Sequence, residues 1–218
     1  MARAGQSLHL LPGRGIWWPQ QSALLVADVH LGKGAAWRHQ GVPVPEGTDA
    51  GTLARLGALL DATGARRLVV LGDLLHDPRA LQPRTVDAVA AWRAARGALD
   101  IVLVRGNHDA RAGDPPAALR IDTVAEPLVM GPFALCHEPS APPAGAECVL
   151  AGHLHPAVRL RGRADAMRLP CFWFGPEQGV LPAFGEFTGG LTVRPACTDR
   201  VFAVAGDRVI EVPPALRE

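Results

Sequence analysis

The 218 residues carry 22 basic and 21 acidic side chains, a formal net charge of +1, and 48% of them are hydrophobic. That is ample material for a core, which excludes a disordered chain, and the balanced charge gives no overall footprint for nucleic acid or an anionic membrane. Four cysteines (Cys136, Cys148, Cys171, Cys197) without CxxC spacing point neither to a zinc ribbon nor to a thioredoxin-like pair. No window approaches the ~18 apolar residues of a membrane span, and residues 1–11 hold no signal-peptide core, so a cytoplasmic protein with no membrane partner is expected.

Three apolar runs share one pattern: Leu24 to His30, Leu68 to Asp73, and Ile101 to Asp109. Each reads as a buried strand ending in polar residues. Between the first two, Thr48 can cap a helix with Leu53, Leu56 and Leu60 on one face and Gly64 at its end. Val86, Val89 and Trp92 mark a second helix, closed by Gly97. The order β-α-β-α-β with strands apolar throughout indicates a parallel sheet covered on both faces, whose ligands gather at the carboxyl ends of the strands. From about Ala110 the prolines, seven of them from Pro115 to Pro143, break the chain too often for long helices. Leu128 to Cys136, Cys148 to Ala151, Cys171 to Phe174, Leu191 to Val193, and a hairpin of Val201 to Val204 with Val209 to Val212 around Gly206-Asp207 predict a second, mixed sheet. No repeat or linker divides the chain, so one domain spanning 1–218 is expected.

Five of the eight histidines, His30, His108, His137, His153 and His155, follow predicted strands. Asp28 and His30 are one residue apart in a strand and so point to the same side. Asp73 ends the next strand, and Asn107, His137, His153 and His155 complete a mixed set of imidazole, amide and carboxylate donors that suits Mn²⁺, Fe or Zn²⁺. Seven donors exceed what one small cation takes. Two ions bridged by Asp73 would use them all, at the roughly 3.5–4 Å separation of hydrolytic two-metal sites.

The series Asp28-Val-His30, Gly72-Asp73, Gly106-Asn107-His108-Asp109, His137 and Gly152-His153-Leu-His155 resembles the calcineurin-like metallophosphoesterase superfamily. The resemblance implies an α/β fold, a four-layer αββα sandwich of two packed mixed sheets flanked by helices. It also implies one metal held by Asp28, His30, Asp73 and His155, a second by Asp73, Asn107, His137 and His153, and His108 as acid or transition-state donor, with Asp109 beside it as the other catalytic candidate. Two positions depart from the superfamily pattern: His76 stands where a further acid is common, and Cys136 precedes His137 where glycine is frequent. A finer resemblance covers most of the chain. Ala27 to Arg38, Gly41 to Thr48 and Leu181 to Gly190 are similar to the ligase-associated DNA damage response endonucleases of bacteria, which implies DNA as substrate and a DNA ligase and helicase as pathway partners.

Lys33 is the only lysine beside 21 arginines. With Arg38 it is a candidate phosphate contact from the loop after the first strand. Arg161 and Arg163, within the run Arg159, Arg161, Arg163 and Arg168, are candidate DNA contacts. Trp17, Trp18 and Trp173 read as packing. The expected reaction is hydrolysis of a phosphodiester by a hydroxide between two divalent ions, Mn²⁺ being favoured, with His108 as donor. A phosphoesterase for a small nucleotide or a monoester has the same ligands, and the metal motifs do not separate the two. A scaffold without turnover fits poorly with the retention of His108 and all seven donors. The sequence leaves the oligomeric state open.

Overall fold

The computed structural model describes residues 1–161 and 166–217. The strands β1 (Ala2–Arg3) and β2 (Gln6–Ser7) form a small hairpin, after which β3 (His9–Leu10), β4 (Ile16–Trp18) and β5 (Ala23–Val26) run antiparallel into the first sheet. The helices α1 (Lys33–His39) and α2 (Thr48–Thr63) lead to β6 (Arg67–Leu71), α3 (Pro83–Ala94) leads to β7 (Asp100–Val104), and α4 (Asn107–Ala112) leads to β8 (Asp122–Val124). Strands β5 to β8 are parallel neighbours in the order β3-β4-β5-β6-β7-β8.

The second sheet begins with β9 (Leu128–Met130), β10 (Phe133–Leu135), β11 (Cys148–Ala151), β12 (Pro156–Arg161), β13 (Ala166–Phe174) and β14 (Gln178–Val180). It is completed by β15 (Leu191–Thr192), β16 (Arg200–Ala205) and β17 (Arg208–Val212), in the order β15-β12-β13-β14-β11-β10-β9, with β16 on β13 and β17 on β16. It is mixed: β10, β11 and β14 are mutually parallel, whereas β12, β13, β16 and β17 alternate.

The two-residue repeat of a strand explains the layers. Leu24, Val26, Leu68, Val70, Ile101 and Leu103 face Leu53, Leu56 and Leu60 of α2 and Val89 of α3. Their alternates Leu25, Val69, Leu71 and Val104 face Phe133, Leu135, Leu150, Phe172 and Phe174 of the second sheet. One sheet thus separates two cores, and its strands are buried on both faces. The α-helices of the described residues all precede Gly113, so the helical layer lies on the first sheet. On the second sheet, small apolar clusters around Val158 and Cys171, and around Ala134 and Val149, occupy the opposite face. No helix among the described residues is long and apolar enough to cross a membrane.

Several boundaries differ from the sequence reading. Thr48 is the first residue of α2, not its cap; Gly47, with φ +83°, precedes it, while Gly64 at φ +65° ends the helix as expected. Helix α3 stops at Ala94, three residues before Gly97, because Ala95 already turns the chain. Leu128 to Cys136 is two strands rather than one, folded back on itself at Gly131, whose φ is +55°.

Candidate metal centre

The parallel strands β5, β6 and β7 end at one edge, and the loops beyond them carry Asp28, His30, Asp73 and Asn107. Asp28 and His30 share a direction, but not through strand alternation. Both lie beyond β5 in the left-handed region, φ +55° and +51°, while Val29 between them turns into the helix-side core. The described residues include ten non-glycine residues at positive φ, and Asp28, His30, Asp73, His153 and His155 are five of them. Such conformations cost of order 1–3 kcal/mol each and persist where the surroundings over-determine them. Here the anchors are visible: the Asp28 N–H donates to the Gly72 carbonyl (3.1 Å) and the His30 N–H to that of Asp73 (2.8 Å). Glycines make the approach tolerable. A methyl on Gly72, itself at φ +74°, would strike the His137 ring, and one on Gly106 would strike the Asp73 carboxylate.

The second sheet brings His137 two residues beyond β10, and His153 and His155 between β11 and β12. The Asp28 carboxylate accepts the His153 N–H at 2.9 Å, joining the two sheets at this point. The Nδ1 of His137 lies 3.2 Å from the Leu71 carbonyl and that of His155 lies 3.2 Å from the Gly189 carbonyl. A carbonyl only accepts, so these Nδ1 atoms carry the protons and each Nε2 turns a lone pair inward. There, His137 Nε2 meets Asn107 Oδ1 (2.9 Å), His153 Nδ1 (3.0 Å) and Asp73 Oδ1 (3.5 Å). His155 Nε2 meets His30 Nε2 and Asp28 Oδ1, both at 3.4 Å, and His30 Nε2 lies 3.9 Å from Asp73 Oδ2.

All seven predicted ligands therefore stand together. Asp28, His30 and His155 form one metal-sized set, Asp28, Asp73 and His137 a second, and His30, His76 and His108 a third. Asp73 stands between His30 of the first and His137 of the second. Acceptor facing acceptor in a buried site is unfavourable until a cation lies between. Asp28, Asp73 and His137 are 0%, 2% and 1% exposed. Burial raises the Asp73 carboxyl pKa, and burial, with Lys33 nearby, lowers that of His30. The donor chemistry fits divalent metal.

Comparison with known proteins bears on the same residues. A family model for the calcineurin-like phosphoesterases matches residues 22–138. The chain belongs to that family. It is accordingly a metal-dependent phosphoesterase, and the matched range holds Asp28, His30, Asp73, Asn107 and His137. The crystal structure of Pseudomonas putida nuclease MPE is similar at 47% identity, covering 97% of this chain and 98% of that chain with a TM-score of 0.85. Yfce, a phosphoesterase from E. coli, aligns at 20% identity over 87% of this chain and 97% of that chain, with a TM-score of 0.44 too low to carry argument. No curated protein matches the chain.

Around this calcineurin-like centre the remaining predicted residues separate. The His108 N–H donates to Asp73 Oδ1 (2.9 Å), and its Nδ1 donates to the His76 carbonyl (2.6 Å), while the two imidazoles stack with centroids 5.0 Å apart. Asp109, 0% exposed, accepts the Leu75 and Gly106 N–H groups, both at 2.9 Å, so its two oxygens tie the loops after β6 and β7 together. Lys33 opens α1 with Nζ 5.8 Å over the Trp37 ring; burial lowers its pKa, opposed by the field of Asp28 and Asp73. Arg38 instead holds its own loop, donating to the Val44 (3.3 Å) and Pro45 (2.9 Å) carbonyls. Arg161 is an exposed residue at the end of β12, and Arg163 lies outside the described residues.

Of two supports, the sequence reading marks His76 as a departure from the family pattern and misses Glu126. His76 brings its Nδ1 to 3.4 Å from His30 Nδ1; its place after Asp73 was the available signal. Glu126 accepts the His137 N–H (2.6 Å) and the Glu138 N–H (3.1 Å), setting the turn that presents His137. No spacing rule reveals it, because it acts across eleven residues through backbone groups.

Proposed function

We propose that the chain is a nuclease that hydrolyses phosphodiester bonds in DNA, with two divalent ions, Mn²⁺ foremost, held by Asp28, His30, Asp73 and His155 and by Asp73, Asn107, His137 and His153. The observation that supports this most is the convergence of seven donors, with the outward nitrogens of His137 and His155 fixed by carbonyls, in a chain 47% identical to a nuclease. Divalent ions in such a site lower the pKa of water and neutralise charge on phosphoryl oxygens. The protein's own contribution is orientation. Asp73 fixes the start of α4 through the His108 N–H, and the His76 carbonyl holds the His108 Nδ1 proton, so the ring gives a proton to the leaving oxygen only as an imidazolium, from a second proton on Nε2. Asp109 is a positioning residue in this scheme, and Lys33 steadies the phosphate's charge. The resemblance to the ligase-associated endonucleases supports a role in DNA repair beside a ligase and helicase.

The test is incubation of the purified protein with closed circular single-stranded and duplex DNA, with Mn²⁺ and with excess EDTA. Linearisation and fragmentation with Mn²⁺, absent in EDTA, are expected. Full cleavage in EDTA, or no cleavage of any DNA while bis-p-nitrophenyl phosphate is hydrolysed, overturns the reading.

A further inference from the structure

Beside His155 opens a cleft of about 390 Å³ whose lining includes Arg14, Arg55, Arg168, Glu186 and Phe187. Its charges do not balance: three guanidiniums face one carboxylate. Arg55 Nη1 donates to Glu186 Oε1 (3.2 Å), Nη2 donates to the Phe184 carbonyl, and Cζ lies 4.5 Å over the Phe184 ring, which together hold the guanidinium in the wall. Its Nε is buried without a partner. Arg14 donates to the Ala183 carbonyl (3.3 Å), and burial together with the nearby Arg55 lowers its pKa. Two like charges brought together in a half-buried wall repel, Glu186 offsets only part of this, and an anion in the cleft relieves the rest. Phe187, at the mouth, is a bulky residue at φ +56° with 43% of its surface exposed, and it also lines the small pocket shared by His30 and Lys33. The ring leans on that of Trp37, centroids 6.3 Å apart and tilted by 60°, which leaves the exposed part of its aromatic surface between two parts of the site.

The geometry points to a nucleotide subsite: the arginine cleft takes the phosphate that flanks the cleaved linkage, and Phe187 offers a face to its base. The inference rests on the nuclease reading and narrows it to a substrate of at least two phosphates. Beyond the cleft the track continues. Arg168 pairs across the β12–β13 hairpin with Arg159, and side-chain alternation puts Ala157, Arg159 and Arg161 on one face. A mononucleotide reaches none of this, whereas a polynucleotide reaches all of it.

The test uses p-nitrophenyl esters of thymidylate, so that the leaving group stays constant. One series grows from the 5′-phosphate ester by adding a nucleotide on the 3′ side, the other from the 3′-phosphate ester by adding one on the 5′ side. In one series the added nucleotide raises kcat/KM about 10-fold or more, as a charge-assisted phosphate contact and a stacked base would. A neutral methylphosphonate at the added linkage removes most of that gain with wild-type protein, so folding is not in question. In Arg168→Ala the ratio of long to short substrate falls toward one, and in Phe187→Ala the part of the gain that an abasic nucleotide lacks disappears. No gain in either series, or a gain that survives the methylphosphonate, overturns the subsite while leaving the nuclease reading intact. Failure to cut any DNA alongside active ester hydrolysis overturns both.

Discussion

The first sheet reaches the centre through three parallel strand ends and delivers both carboxylates, Asp28 and Asp73, whereas the second reaches it through turns and delivers only imidazoles, His137, His153 and His155. The carboxylates are the groups most costly to bury, and they sit where hydrogen-bonded neighbours surround them: Asp28 accepts from His153 and Asp73 from His108. The second sheet, closing from the other side, supplies imidazole donors and the Arg168, Glu186 and Phe187 side of the cleft beside His155, while Arg14 and Arg55 of that cleft come from the first half. Anionic charge for the metals thus comes from one half, whereas the substrate cleft is built by both.

The largest expected effect tests that division. Asp73→Asn keeps an acceptor for the His108 N–H but removes a carboxylate whose ionisation burial opposes. The metal-free variant should melt at higher temperature than the metal-free wild type, lose the stabilisation that Mn²⁺ confers, and lose more activity than His155→Asn on the second sheet. A variant that binds two ions with near-normal turnover would take the bridge away from Asp73. Next comes His108→Ala, with kcat lowered about 10²–10⁴-fold as for a lost general acid. The loss should be smaller for a nitrophenyl than for an alkyl leaving group, with metal content unchanged by elemental analysis. Equal loss for both leaving groups would make His108 something other than a proton donor.

Legibility in the sequence follows the same division. Strands β5, β6 and β7 are apolar on both faces, and a strand buried twice announces itself without any partner, so the first half of the fold and its ligands could be read directly. In the second half only fragments were visible. Pro156 to Arg161 is a strand that reads as a basic run, since Arg159 and Arg161 are exposed and its buried residues are confined to Pro156, Ala157 and Val158. Helix α4 was hidden for another reason: it is one and a half turns long, and Asn107-His108-Asp109 carries chemistry rather than an apolar stripe. The candidate ligands stood out because their types and order are chemically demanding. Arg14 and Arg55 were not, because an arginine far away in sequence carries no local mark of the cleft it enters.

At Gly72 the first half lies against His137 of the second. Gly72→Ala puts a methyl in the left-handed region and against His137, a cost of roughly 2–4 kcal/mol from backbone and overpacking together. In a chain of this size that lowers Tm by roughly 4–16 °C. Calorimetry of the EDTA-treated protein measures it, and an unchanged Tm would show that His137 moves aside freely. In that case Mn²⁺ affinity should fall instead.

The smallest effect concerns His76, which belongs to the first half although it binds no phosphate or metal in the scheme above. Burial, then Lys33 and His108, push its pKa down to about 4 from the ordinary 6.5. The folded state therefore favours the neutral ring: the stabilisation from this group is complete above pH 6.5 and is lost as pH falls through about 4. Metal-free wild type should lose Tm more steeply between pH 7 and 4 than His76→Gln, whose side chain does not titrate. Lys33→Met should make the wild-type slope shallower, since one source of the depression is gone, but not abolish it, because burial is the larger cause. If His76→Gln and wild type fall in parallel, His76 is solvated in the metal-free protein, and its stacking on His108 does not hold the ring in the first half of the site.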